Sequence, residues 1–441
     1  MSIKASNTQP AAPVGLWRFH QRPVSALILT ILFVAVTLSI ITQVSVHRTL
    51  RDPNSAAGTI WRSAALAPGV AFGIRTALAL VAVACTINIL FFGIRSLSSK
   101  YWVLWLALLL YSCTLAFKGL TYGDLFSSAV YSPMAPVAVF VSALIFIGAR
   151  AELWLYVARV IALGSLIIAA LTIVEAVLLT STLRGEAFGR LYVYSSFLEV
   201  SAIIAVGWFR GKKLSWLGWL PLTALAVAGV ALQTRLVLLE VICLVLLYSF
   251  IGKPRISRSR IILSGLLCVA GLAVIGLSLS DSMASSAGAL WERRSEDSRS
   301  SQIPRFFARI DTEDLWLGIG IPKDGVYNGQ GWDGIDIGYI NILYLAGAPG
   351  LALFFLLHLL PSVLCSLRRL SDLDRAAVVT VLTYSIRLCS STVPNLEPQY
   401  LVLLLIMGRC AYLQGRCAVV RSNPMAPRTP LLVRSACLRS V

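Results

Sequence analysis

Charge is scarce in this sequence. Only 13% of its 441 residues are Asp, Glu, Lys or Arg, and 57% are hydrophobic, against about 25% charged and roughly 45–50% apolar in a soluble domain. With a mean hydropathy of +0.80, this excludes a water-soluble globular chain and implies an integral membrane protein. Acidic residues are the rarer sign, 20 against 38 Lys and Arg, for a net charge of +18. Histidine occurs three times, at His20, His47 and His358, and the 9 cysteines show no Cys-x-x-Cys spacing. No metal, cofactor or disulfide framework is therefore expected. A Gly-x-x-x-x-Gly-Lys-Ser/Thr phosphate loop is missing, which argues against an ATP-driven pump.

What is present is a near-continuous series of apolar runs. A bilayer core about 30 Å thick needs roughly 20 apolar residues of helix. Twelve stretches meet that need, near 24–43, 75–94, 101–117, 133–149, 153–180, 190–209, 214–232, 235–251, 261–280, 337–366, 376–392 and 399–414. The run 153–180 is long enough to hide a break. The expected fold class is all-α: a polytopic integral membrane protein of about twelve transmembrane helices with one large hydrophilic loop. Its parts are a cytoplasmic N-terminal segment (1–23), nine helices (24–280), the loop (281–336), three helices (337–414) and a basic cytoplasmic tail (415–441).

The distribution of charge orients these helices. With both termini and the even-numbered connections in the cytoplasm, that side collects Arg210, Lys212, Lys213, Lys253, Arg255, Arg258, Arg260, Arg368, Arg369 and Arg375. Against them stand only Glu152, Asp372 and Asp374. That is the positive-inside bias of a membrane protein, and it accounts for the basic excess without nucleic acid. The segment 1–22 carries Lys4, Arg18 and Arg22 ahead of an apolar run with no small-x-small cleavage site, so it reads as an uncleaved first helix. Cytoplasmic connections are too short to form a nucleotide-binding domain. The first 15 residues are expected to be disordered, and the arginines of the tail suit anionic headgroups.

The exterior loop, roughly 55 residues over 281–336, concentrates the polar matter at one membrane face. Within it Ile303, Phe306, Phe307 and Ile310 follow helical i, i+3, i+4, i+7 spacing, and Arg305 and Arg309 lie on the other side. This predicts a short helix lying on the membrane, apolar side down. Its arginines either hold lipid headgroups or take an anionic substrate, since guanidinium forks match phosphate oxygens. Arg235 opens the eighth run at the same face and is either a snorkelling anchor or a phosphate ligand. Charges inside the spans are Arg159, Glu175, Glu199, Glu240 and Arg387; such residues face a cavity or a partner. Arg387, near the exterior end of the eleventh run, is placed to join Arg235 at one cavity. Gly347, Pro349 and Gly350 are expected to kink the tenth helix.

The order of these elements carries a resemblance. Thr234-Arg235 opens a late helix, and Arg299 stands 19 residues before Gly318-Ile319-Gly320. Asp336-x-x-Tyr339 then enters a helix with Gly347-x-x-Gly350. Over about residues 230–355 this is similar to the O-antigen polymerase and ligase superfamily of bacterial envelopes; the first half matches only in helix number and hydropathy. The resemblance implies a multi-pass protein of the bacterial inner (cytoplasmic) membrane acting at its periplasmic face. Its substrate would be undecaprenyl-diphosphate-linked oligosaccharide, with no nucleotide sugar and no required metal. A chain-length regulator and a flippase of the same pathway would be its partners, beside the lipid bilayer.

Carried onto this chain, the matching positions are Arg235, Arg299 with Arg305 as a nearby second choice, Gly318, Gly320, Asp336 and Tyr339. Arg235 and Arg305 would stabilise the departing diphosphate, and Arg299, Arg309, Tyr339 and Arg387 would bind substrate. Asp336 is the first choice of general base, with Glu292, Glu296 and Asp333 as alternatives and a helix N-cap as its plain structural role. Ligases of the superfamily carry a His-Asn pair where the loop enters the next helix. Here Ile340 precedes Asn341, which favours a polymerase over a ligase. The expected activity is a membrane glycosyltransferase that joins repeat units into a long exopolysaccharide, O-antigen or capsule, with the secreted xanthan-like branch preferred. The alternatives are an O-antigen ligase, or a lipid-linked glycan flippase or other transporter.

Overall fold

The computed structural model describes residues 106–107, 110–111, 114, 145, 148, 151–178, 184–232, 234–251, 302–318, 326–327, 330–331, 337–366, 370–389 and 398–422. The runs expected at 24–43, 75–94 and 261–280, nearly all of 133–149, and the residues Arg299, Gly320 and Asp336 lie outside the described residues. Helices make up nearly all of the rest. In chain order they are α1 (Ala151–Leu178), α2 (Arg184–Phe209), a 3₁₀ turn (Ser215–Trp219), α3 (Leu220–Ala231), α4 (Arg235–Phe250), α5 (Gln302–Arg309) and α6 (Thr312–Leu317). After a two-residue β-ladder, in which Val326 pairs with Gly331 and Tyr327 with Gln330, come α7 (Gly338–Phe354), a π-helical turn (Phe355–Leu359), α8 (Leu360–Ser366), α9 (Asp372–Arg387) and α10 (Pro398–Ser422).

Three segments are long and apolar enough to cross a membrane: Trp154–Ala176, Leu191–Phe209 and Gly338–Ser366. α1 is unbroken from Ala151 to Leu178, so the run 153–180 holds no interruption. α2 starts at Arg184, inside the stretch read as a connection, and α10 continues through Gly415 to Ser422. Pro424, two residues on, cannot extend that helix.

α2 is the axis of the bundle. In its apolar window 83% of residues are buried, against 44% in that of α1, and α1, α3, α4, α9 and α10 all pack against it. Its small residues Ser195, Ser196, Ser201, Ala202 and Ala205 are buried, which lets neighbouring backbones approach closely. Several buried hydroxyls sit inside these helices without breaking them, because they bond the preceding turn. Ser201 donates to Phe197 O at 2.8 Å, Thr172 to Ile168 O at 2.7 Å and Ser249 to Val245 O at 2.7 Å, so these donors are paired in an apolar interior. The outer faces are apolar as well. Leu155, Leu163, Ile167, Leu171 and Val174 form an exposed stripe down α1, a surface suited to lipid rather than water.

The loop helices sit on α7. Pro304 falls in the first turn of α5, where its missing N–H costs nothing, and Glu313 and Asp314 complement the dipole at the start of α6. Phe306 and Ile310 are buried with Ile337, Tyr344 and Leu345. Ile303 and Phe307, from the same stripe, remain exposed. The apolar side of α5 therefore divides between protein and exterior. The N-cap expected at Asp336 falls instead on Ile337, whose side chain joins this cluster and which makes no side-chain cap bond.

Two glycine backbones fix the docking. Gly318 ends α6 at φ 70°, ψ 156°, and Gly347 interrupts α7 at φ 67°, ψ −179°, a conformation essentially restricted to glycine. A Cβ on Gly318 would lie 2.6 Å from Gly347 N and from Leu345 O; one on Gly347 would lie 2.3 Å from Trp316 O. The tenth run is thus bent at Gly347, and the bend is where the loop seats. Tyr111, from an earlier run, donates its hydroxyl to Leu317 O at 3.4 Å.

Alanine at Gly318 or Gly347 would combine a backbone penalty of roughly 1–2 kcal/mol with overpacking of about 1–3 kcal/mol. Both variants are expected to melt earlier in detergent and to be cut faster by trypsin within α5. Gly211→Ala, at φ 78° with nothing within 4 Å of the added Cβ, isolates the backbone cost and should leave loop proteolysis unchanged.

Candidate functional site

Four elements meet at the end of the bundle that carries α5 and α6. α4 begins there at Arg235, α7 begins at Gly338, and α9 ends at Arg387. Tyr339 links the last two, donating its hydroxyl to Ser385 O at 2.7 Å, with its ring stacked on Phe355 at 4.8 Å between centroids. The backbone therefore gathers positions 235, 305, 309, 339 and 387 at one end, from four helices spread over more than 150 residues.

The best-defined chemistry there is a buried ion cluster. Arg387 Nη1 donates to Glu199 Oε2, and its Nε lies 3.9 Å from Glu240 Oε2. Glu199 and Glu240 are 2% and 3% exposed. Three helices, α2, α4 and α9, are joined through one guanidinium, with the Tyr384 ring centroid 5.8 Å from its carbon. Arg387, expected to join Arg235 at one cavity, is engaged with two glutamates, and the Arg235 side chain lies outside the described residues. Neither carboxylate oxygen of Glu240 accepts a hydrogen bond, and Thr234 Oγ1 and Asn341 Oδ1, also at this end, are buried without a hydrogen-bond partner among the described residues.

The opposite end holds a second cluster that sequence reasoning treated only as a charge balance. Arg210 Nε contacts Asp372 Oδ2 at 3.2 Å, Arg375 Nη2 contacts Asp372 Oδ1 at 3.4 Å, and Arg409 Nε contacts Asp374 Oδ1 at 2.8 Å. Ser371 caps α9, its Oγ accepting from Asp374 N and donating to Asp374 Oδ2. Tyr248 Oη, from the end of α4, lies between Arg210 Nη1 and Asp372 O. Lys212 caps this end, its Nζ 3.8 Å from the Trp208 ring centroid; partial burial, then nearby Arg159, holds its ammonium below the ordinary lysine range. These contacts fix α2, α4, α9 and α10 and expose no free guanidinium.

His358 stands apart from both clusters. It is buried in the π-helical turn, with Nδ1 3.1 Å from Phe354 O and Nε2 2.9 Å from Tyr400 Oη. A carbonyl only accepts, so Nδ1 carries the proton and Nε2 accepts from the tyrosine. Both ring nitrogens are occupied in packing α7 onto α10.

Removing one member of a buried ion cluster costs about 3–5 kcal/mol, because the partners stay buried and charged. Arg387→Met is therefore expected to lower the melting temperature sharply. The triple variant Glu199→Gln, Arg387→Met, Glu240→Gln should recover most of the loss. Thermal unfolding of the three proteins in one detergent checks this.

Compared with family models, with curated proteins and with solved structures, the chain matches none.

Proposed function

We propose that this protein is a polysaccharide polymerase of the bacterial inner membrane, joining oligosaccharide repeat units carried on undecaprenyl diphosphate. The observation that supports this most directly is the convergence at one end of the bundle. A loop helix bearing Arg305 and Arg309 packs on the entry of α7, at the end of the bundle where α4 opens with Arg235. A site handling a lipid diphosphate needs cationic groups held at the membrane boundary, one side toward lipid and one toward water. The apolar side of α5, with Phe306 and Ile310 buried and Ile303 and Phe307 exposed, is consistent with that need.

In the proposed reaction a sugar hydroxyl of a new lipid-linked unit attacks the anomeric carbon of the growing chain. Undecaprenyl diphosphate leaves, the hydroxyl proton passes to a base, and the chain is now held by the new carrier. Negative charge grows on the departing diphosphate, so preorganised arginines supply the main stabilisation. Arg235 and Arg305 take that role, Arg299, Arg309 and Tyr339 bind substrate, and Asp336 is the proposed base.

A transporter reading has its own observation in its favour: α7 is broken at Gly347 and an ion cluster is buried in the bundle, both features of carriers. Mass analysis of lipid-linked oligosaccharides in a deletion strain, with sizing of its polysaccharide, separates the readings. Single repeat units accumulating on periplasm-facing carrier, with long polymer lost, fit the polymerase. Units retained on the cytoplasmic leaflet fit a flippase, and persistent lipid-linked long polymer fits a ligase.

Complementation of that strain with Arg235→Ala or Arg305→Ala should reduce polymer synthesis on the order of 10²–10³-fold at unchanged protein level. Lysine at position 235 should rescue poorly where recognition is bidentate. Near-normal polymer length from both alanine variants would remove these arginines from the reaction.

A further inference from the structure

The turn after α2 carries cations that do not join helices. Gly211, at φ 78°, turns the chain, and Lys212 through Trp216 are all exposed. Gly218 then seats the 3₁₀ turn on α2, where a Cβ would lie 3.0 Å from Ala205 O and 3.1 Å from Val206 Cα. The same turn touches α1. Leu214 and Trp216 are thus held outward on a fixed platform, 53% and 62% exposed. Lys212 lies across the end of α2, its Nζ 3.8 Å from the Trp208 ring centroid and 5.6 Å from that of Phe209.

α1 brings a third cation to this place. Arg159 lies inside the apolar window that opens at Trp154, and it is exposed. Leu155 and Tyr156, one turn before it, and Leu163, one turn after, are exposed with it, so Arg159 emerges within the apolar stripe of α1. A guanidinium is costly to leave in hydrocarbon, and its long stem carries it toward the boundary. Side chains on a helix lean toward its N-terminus, here the end of α1 that meets the turn. Its charge is felt there: after partial burial, Arg159 is the second cause holding the Lys212 ammonium below the ordinary lysine range. The described carboxylates of this end, Asp372 and Asp374, are engaged by Arg210, Arg375 and Arg409. Like charges crowded at an exposed surface are relieved by an anion from outside the chain.

We propose that Arg159, Lys212 and Lys213, with Leu214 and Trp216, form a binding site for one anionic phospholipid at the end of the bundle opposite α5. The cations take its phosphate, Leu214 and Trp216 sit among the upper acyl carbons, and an acyl chain follows Leu155 and Leu163 down α1. A soluble anion would leave the apolar half of this surface uncovered. An indole beside lysines is the composition of a headgroup boundary, and juxtamembrane cations attract anionic lipid. The inference goes beyond the polymerase reading and does not rest on it.

The test uses the full-length protein in detergent, with native mass spectrometry counting bound phosphatidylglycerol against phosphatidylcholine at equal concentration. The wild type should retain phosphatidylglycerol preferentially. Each of Arg159→Gln, Lys212→Gln and Lys213→Gln should weaken that retention roughly five-fold, and Lys212→Arg and Lys213→Arg, which keep the charge, should preserve it. Melting temperatures without lipid should match the wild type, whereas phosphatidylglycerol should stabilise the triple glutamine variant less.

Equal retention of the two lipids by the wild type would overturn the proposal. So would an equal loss in the tail variant Arg428→Gln, Arg434→Gln, Arg439→Gln, because the attraction would then follow net charge and not a site. Stabilisation by inorganic phosphate as large as that by phosphatidylglycerol would make the occupant a soluble anion. A triple glutamine variant that fails to fold would make these cations structural.

Discussion

A guanidinium enclosed by apolar helices constrains this bundle more than any other group. Arg387 is largely enclosed at the end of α9, and its contacts with Glu199 and Glu240 fix α2 and α4 against that helix at a defined height. Hydrophobic packing alone would not, since apolar faces slide over one another at little cost. α9 is held at its other end too, where Asp372 and Asp374 bind Arg210, Arg375 and Arg409. From Glu240 to Tyr248 is about 12 Å along α4 at ~1.5 Å per residue. Between these two polar levels Ser201 and Thr380 bond within their own helices. Register is therefore set at the ends, and the middle is left to shape complementarity.

From that fixed frame the loop takes its position. Ser385, two residues before Arg387, accepts the Tyr339 hydroxyl, which sets the start of α7 against the end of α9. Nine residues into α7 the chain breaks at Gly347, and the backbone of α6 enters the break. Displacing α9 would move Tyr339, then the break, then the seat of the loop. The buried cluster and the loop arginines thus belong to one mechanical unit, although no described contact joins them directly.

Much of the architecture was legible because it rests on local pattern. Helical spacing placed α5 to within a residue, the composition of 337–366 marked a kink near Gly347, and the apolar runs marked α1, α2, α4 and α10. What escaped the sequence is non-local. Glu199 and Arg387 are 188 positions apart, and nothing in either neighbourhood names the other. Each was identifiable as a charge that needs a partner, but the pairing appears only when α2 and α9 pack. Gly318 and Gly347 were visible as separate features, a weak Gly-x-Gly and a helix kink. Their contact depends on the loop folding back over α7. The stripe on α5 misled in one respect, because the spacing gives a face but not its neighbour, and that face is shared between α7 and the exterior.

The division of roles among arginines follows from the same physics. A guanidinium that stabilises charge developing on a substrate must not already be neutralised by the protein. Arg387, Arg210, Arg375 and Arg409 all have carboxylates within 4.0 Å, so they hold helices together, and any gain on meeting a phosphate would be offset by losing those pairs. Under the proposed function, the cations of a substrate site would therefore come from positions other than these four. That requirement directs attention to the turn opened by Arg235 and to the helix bearing Arg305 and Arg309, which the fold places at the same end as the broken helix.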